Sequence, residues 1–280
     1  MDVPWVPSRV SPPAECRVIH IGIDPLFSRY PIRGFPCDVA IAGLPRLVLP
    51  KLGAALKVPE NDIAVRRQAL AERRAAQRAG WRKLREEMAT QTPIHPVWIS
   101  HCLSEARDPN SILVNEYTLL TEHCGSTLPG SYFGSSPAAG LGWGAGAALG
   151  VKLAVPGRQV ISILGDGSYI FSNPVAVHHA STMHKLPVLT IVINNAMWGA
   201  VRRATLGMYP DGEAARSNKP PFIDLDDLPA FETICEAAGG YGERVEDPAA
   251  LPAAMQRALK VVDGGRQALL NIISRGGAGG

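Results

Sequence analysis

From Thr92 onward, short apolar runs alternate with longer amphipathic stretches. Residues 111–115 (SILVN), 159–164 (QVISIL), 187–193 (PVLTIVI) and 267–274 lack the polar alternation of a half-exposed strand. Each reads as a strand buried on both faces. A shorter strand is expected at 241–245. Between these lie helical patterns at 96–106, in the glycine-rich stretch ending near Val155, and at 173–184, 228–238 and 247–262. Strands alternating with helices predict an α/β fold, a doubly wound parallel sheet with helices on both faces.

The first part of the chain has another texture. A strand is expected over 17–23 (RVIHIGI), stopped by Asp24-Pro25, with a second over 38–42 and a helix over 45–57. Two strands and a helix bury too little to stand alone. Residues 1–57 therefore read as the tail of a partial second α/β domain. Residues 58–91 are rich in Ala, Arg and Glu and polar on most faces, which reads as a solvated connecting helix. Residues 202–221 read as an irregular polar loop, and 276–280 as a flexible tail. The main domain is thus expected over 92–275.

Composition narrows the function. Hydrophobic residues make up 46% and charged residues 19%, with a net charge of +3. This is globular and far from disorder, and too weakly basic to imply nucleic acid. No eighteen-residue apolar run suggests a membrane span, and the N-terminus does not read as a signal peptide. Cys16, Cys37, Cys102, Cys124 and Cys235 are scattered, without a C-x-x-C pair. They argue against a zinc or iron–sulfur site and fit reduced thiols in a cytoplasm.

Two strand ends carry the chemistry. One is ILGDGS (163–168) and the other VINN (192–195). Ligands of open parallel sheets bind beyond the carboxyl ends of the strands. Gly165 and Gly167 permit a tight turn and close backbone approach to phosphate. Asp166 offers a hard carboxylate oxygen, Ser168 a hydroxyl and Asn195 an amide oxygen. Mg2+ takes such oxygens and completes its octahedron from phosphate. Either motif alone is a common turn; their pairing at successive strand ends is far more specific. The segment GLGWGAGAALG does not place G-x-G-x-x-G in register, and no G-x-x-x-x-G-K-[ST] occurs, so nicotinamide and Walker-type sites are disfavoured. His178, His179 and His184 read as helix-surface residues.

GDGS followed at this distance by NN resembles the thiamine-diphosphate fingerprint. The flanking sequence PGSYFGSSPAAGLGWGAGAALGVKLAVPGRQVISILGDGS is similar to acetolactate synthase, benzoylformate decarboxylase and other pyruvate-decarboxylase-like enzymes. NNAMWGAVRRATLGMYPDG resembles their acetolactate-synthase-like members. The resemblance implies binding of thiamine diphosphate and Mg2+, with metal oxygens from Asp166, Asn195 and the Met197 carbonyl. It implies diphosphate contacts at Gly165, Gly167, Ser168 and Thr118. Leu141 would be the apolar wedge that bends the cofactor, and the Ala139 carbonyl would accept from its aminopyrimidine. Trp143 and Trp198 would pack beside it.

The same resemblance identifies 1–57 as the end of the family's central domain. The pyrimidine-binding domain and its activating glutamate are not recognised in this chain, so no catalytic residue is assigned in it. The function implied is one half of a 2-oxo acid decarboxylase or carboligase. A pyrimidine-binding domain or subunit would complete it in a homo- or hetero-oligomer. The alternative is a non-catalytic cofactor-binding fragment or assembly module. Arg202 and Arg203 either meet a substrate carboxylate or face solvent.

Overall fold

A computed structural model describes residues 12–28, 36–116, 119–125, 128–134, 140–217 and 223–275. The chain divides into two units, Met1–Arg73 and Arg74–Gly280. In the first, strands β1 (Ile19–Gly22) and β2 (Val39–Ala42) pair in parallel, followed by helix α1 (Pro45–Ala55). No residue of α1 is buried, and Ile19, Val39, Leu47 and Leu49 are exposed. Two strands and one helix leave their apolar sides uncovered, as the sequence pattern suggests. Helix α2 (Glu60–Met88) contains the division between the units; none of its residues is buried, which suits its Arg- and Glu-rich faces.

The second unit continues with α3 (Pro96–Ala106), β3 (Ile112–Asn115), α4 (Thr121–Cys124), β4 (Tyr132–Phe133), α5 (Trp143–Ala154), β5 (Val160–Gly165), α6 (Asp166–Phe171), α7 (Pro174–Met183) and β6 (Leu189–Asn194). It ends with α8 (Gly199–Met208), α9 (Glu213–Arg216), α10 (Phe231–Ala237), β7 (Tyr241–Val245), α11 (Leu251–Asp263) and β8 (Ala268–Ile273). The strands form one sheet in the order β4-β3-β5-β6-β8-β7, with every pairing parallel. This is the expected α/β architecture. Among the described residues no helix is long and apolar enough to cross a membrane.

Both faces of the sheet are covered, and the period of two divides its residues between them. Ile161, Ile163, Leu189, Ile191, Leu270 and Ile272 pack into one core with α3, α4 and α11. Leu164, Val192 and Leu269 point the other way, toward Tyr169 of α6 and Phe231 and Cys235 of α10. Helix α11 shows why it docks: Leu251, Ala254, Met255, Ala258, Leu259 and Val262 form a single buried stripe at helical spacing. Helix α3 starts at Pro96, where a missing N–H costs nothing, and the His95 side chain accepts from Val97 N at 3.1 Å.

Two sequence expectations are corrected. Residues 202–221 are not wholly irregular: α8 runs to Met208 and α9 covers Glu213–Arg216. Ala200, Arg202, Arg203, Ala204 and Leu206 are good helix formers, and polarity alone did not preclude a helix. His179 and His184 are exposed as expected, but His178 is 1% exposed. Its Nδ1 lies 2.7 Å from Gln267 Oε1 and its Nε2 2.8 Å from the Tyr169 hydroxyl. Gln267 Nε2 donates to the His178 carbonyl at 2.9 Å, which fixes the amide orientation. Nδ1 therefore carries the proton and Nε2 accepts from Tyr169, giving a neutral imidazole.

Burial holds the His178 pKa below its ordinary value, against an opposing hydrogen bond to Gln267. A histidine kept neutral contributes stability that is present above its unfolded pKa and is lost as pH falls through the lower folded value. His95, His101 and His123 are shifted the same way, chiefly by burial. The melting temperature is expected to fall between about pH 7.5 and about pH 5.5. His178→Gln should flatten that slope; an unchanged slope would remove His178 from the account.

Candidate functional site

Strands β5 and β6 are neighbours, with Gly165 opposite Ile193, so the two motif-bearing ends emerge side by side. Asp166 begins α6 and is 3% exposed. Its Oδ1 accepts from Gly167 N at 2.7 Å and its Oδ2 from Asn195 N at 3.0 Å. One carboxylate thus ties both strand ends together. Burial pushes the Asp166 carboxyl pKa up, while backbone N–H groups of Gly167, Ala196, Asn195 and Met197 oppose the shift. Among the described residues, no positive partner acts on this carboxylate to favour its charge.

Gly167 is the residue its position requires. A Cβ there would lie inside the Trp198 indole, with Cε3 at 2.6 Å. Trp198 in turn meets Phe171 edge-on at 5.6 Å between ring centroids. Beyond β6 the backbone turns through Ala196 with φ +52°. Asn195 Oδ1 accepts from Met197 N at 3.2 Å. The turn is also held from outside, by Leu225 N donating to the Ala196 carbonyl at 2.9 Å and Trp198 N to Ile223 O at 2.8 Å.

A second buried carboxylate, outside both motifs, lies just beyond β3. Glu116 is 1% exposed; its Oε1 accepts from Gly142 N at 2.7 Å and its Oε2 from Gly144 N at 2.8 Å. Helix α5 has Gly142 at its N-cap and so no cap of its own. Glu116 caps it from the neighbouring strand, where the helix dipole favours negative charge. Gly142 has φ +86°, and a Cβ on it would stand 2.6 Å from the Phe171 carbonyl carbon. A glutamate closing an apolar strand ahead of a glycine-rich turn was the available signal.

These elements enclose a cavity of about 460 Å³. Leu141, Gly165, Asp166, Gly167, Ser168, Asn195 and Met197 all line it. Thr118 and Ala139 lie outside the described residues. Trp198 lines the cavity too. Trp143 instead packs on the cluster of Ile112, Val114 and Ala148 under α5. Of the two arginines weighed in the sequence, Arg203 lines the cavity, joined by Arg275. Carboxylate, amide and backbone carbonyl oxygens suit a hard divalent cation, and one carboxylate leaves room for anionic ligand oxygens to share it. The two guanidiniums add attraction for an anion.

The model of the family "Thiamine pyrophosphate enzyme, C-terminal TPP binding domain" matches residues 115–272. The acetolactate synthase large subunit of Mycobacterium tuberculosis is 29% identical over 186 residues, which cover 65% of this chain and 32% of that protein. Benzoylformate decarboxylase of Pseudomonas aeruginosa is 32% identical over 156 residues, 54% of this chain and 26% of the relative. The chain therefore spans about a quarter to a third of the length of these two relatives. Among solved structures, the thiamine diphosphate-dependent 4-hydroxybenzoylformate decarboxylase of Rhodococcus jostii superposes with a TM-score of 0.54 at 25% identity. That match covers 65% of this chain and 33% of the other.

Proposed function

Because this chain belongs to the thiamine pyrophosphate enzymes, through their C-terminal TPP-binding domain, we propose that it holds thiamine diphosphate through Mg2+ beyond β5 and β6. In this reading it serves one half of an acetolactate-synthase-like decarboxylase or carboligase acting on a 2-oxo acid. The observation that carries the reading is Asp166: a buried carboxylate with no cationic partner among the described residues, shared between the two strand ends in a cavity that oxygen donors line. A metal ion would supply the missing positive charge.

In this proposal Asp166, Asn195 and the Met197 carbonyl hold the metal. Gly165, Gly167 and Ser168 admit the diphosphate, with Thr118 as a further contact. Leu141 and the Ala139 carbonyl orient the organic part of the cofactor. When bound, thiamine diphosphate supplies the nucleophile and the electron sink for loss of carbon dioxide. Arg203 and Arg275 attract the anionic diphosphate and the substrate carboxylate toward the cavity. Residues 92–275 act as the diphosphate domain, 58–91 as a connecting helix and 1–57 as the end of a central domain. A pyrimidine-binding domain or subunit outside residues 1–280 brings the activating glutamate.

The test is calorimetric titration of the folded chain with thiamine diphosphate, with Mg2+ and with a chelator. Binding is expected with the metal and not without it. If a folded chain binds nothing even when a pyrimidine-binding half is supplied, the reading fails.

A further inference from the structure

Behind the turn of Asn195 and Met197 runs a chain of polar side chains, half-buried at Glu232 and buried at Asn271 and Asn194, that the cofactor site itself does not use. Glu232 Oε2 accepts from Asn271 Nδ2 at 2.8 Å, and Asn271 Oδ1 accepts from Asn194 Nδ2 at 3.1 Å. Asn194 Oδ1 then accepts from Ala196 N at 3.1 Å. The chain crosses from α10 through β8 to the end of β6. Asn271 is 0% exposed and Asn194 6%.

The order of donors and acceptors allows one arrangement. A carboxylate only accepts, so Glu232 fixes which end of the Asn271 amide faces it. That sets the Asn271 oxygen toward Asn194 and orients the second amide in turn. The Asn194 oxygen is left facing the Ala196 N–H. Flipping either amide would set oxygen against oxygen. Leu269 and Val192 take apolar places on the same sheet face, so a polar side chain at Asn271 is not what burial alone selects. Ala196 has φ +52°, a conformation that residues with a Cβ rarely adopt. It sits between Asn195 and Met197, and its orientation decides how those two face the cavity.

We infer that Glu232, Asn271 and Asn194 are positioning residues that lock Ala196 in its left-handed conformation and so preset Asn195 and Met197 for the metal. This rests on the proposed Mg2+ site, but the relay is defined without it. The 223–225 segment holds the carbonyl side of Ala196, and the relay holds its N–H side.

The experiment uses the full chain and three readouts: amide hydrogen exchange at Ala196 without metal, apparent Mg2+ affinity during thiamine diphosphate titration, and the unfolding midpoint. Asn194→Ala and Asn271→Leu are each made alone and together with Ala196→Gly. Each single variant should speed exchange at Ala196 and weaken apparent Mg2+ affinity about tenfold or more, as loss of an outer-shell partner does. Glycine adopts the left-handed conformation without a Cβ clash. Ala196→Gly should therefore restore most of the Mg2+ affinity while recovering only the part of the stability that strain at Ala196 accounts for. Should Asn271→Leu not fold, Glu232→Leu interrupts the same relay from its half-buried end.

Unchanged Mg2+ affinity in the single variants, or a loss that Ala196→Gly does not rescue, would overturn the inference and leave the relay a packing feature. Absence of Mg2+-dependent binding in the unaltered chain would instead overturn the cofactor reading. In that case, exchange at Ala196 that stays slow in Asn194→Ala would overturn the relay as well.

Discussion

Asp166→Ala is expected to abolish Mg2+-dependent binding of thiamine diphosphate, weakening it by at least about a hundredfold. Asp166 is the one acidic side chain among the described residues that line the cavity. The substitution also leaves Asn195 N and Gly167 N without their acceptor, so folding should suffer by about 1–3 kcal/mol. Asp166→Asn separates the two effects. It keeps an oxygen acceptor for a backbone N–H but loses the charge. Because burial raises the carboxyl pKa in the folded chain, the ionised form disfavours folding at neutral pH, and a neutral amide relieves that cost. The amide leaves one of the two N–H groups facing a donor, which offsets part of that relief, so without metal Asp166→Asn should melt between the unaltered chain and Asp166→Ala while binding the cofactor as poorly as Asp166→Ala. Calorimetric titration and thermal melting read the two quantities, and undiminished binding by Asp166→Asn would remove this residue from the metal site.

Glu116→Ala is expected to cost the most stability of any single change near the site. It removes two short hydrogen bonds from a charged acceptor and orphans the Gly144 N–H, which is buried. Hydrogen bonds to charged groups contribute about 1.5–3 kcal/mol each, so a loss of about 3 kcal/mol or more is expected. Glu116→Gln, with a single amide oxygen, retains one acceptor and should lie between. Because Gly142 adjoins Leu141, loosening this clamp should also weaken cofactor binding in chains that remain folded. Denaturant unfolding measures the first effect; a change below about 1 kcal/mol would show that solvent or another group satisfies the turn.

Much of the fold was readable in the sequence. Runs such as QVISIL and PVLTIVI carry too little polarity for any exposed strand, so a parallel sheet covered on both faces follows from burial alone. The GDGS and NN turns stood at strand ends, and a helical connection, α6 and α7 in the structure, brings those ends together. The family model matching residues 115–272 agrees with the resemblance drawn from those motifs.

Some elements escaped because their signals are short or mixed. β4 has two residues, too few for any periodicity. The start of α6 coincides with the glycine turn that obscured it, and α8 was hidden by the polarity of its arginines. Other features had no local signal at all. His178 looks like its exposed neighbour His179 until Gln267, 89 positions away, is placed beside it. Glu116 looks like an ordinary polar strand end until Gly142 and Gly144 arrive across the sheet. Asn271 reads as a lapse in an apolar strand until β8 inserts between β6 and β7 and sets it against Asn194 and Glu232. The sequence by itself determined which segments are buried and which backbones can turn tightly, since both are properties of neighbouring residues. Only the tertiary structure decided which polar groups meet, because strand order and register set the distance between residues far apart in the chain.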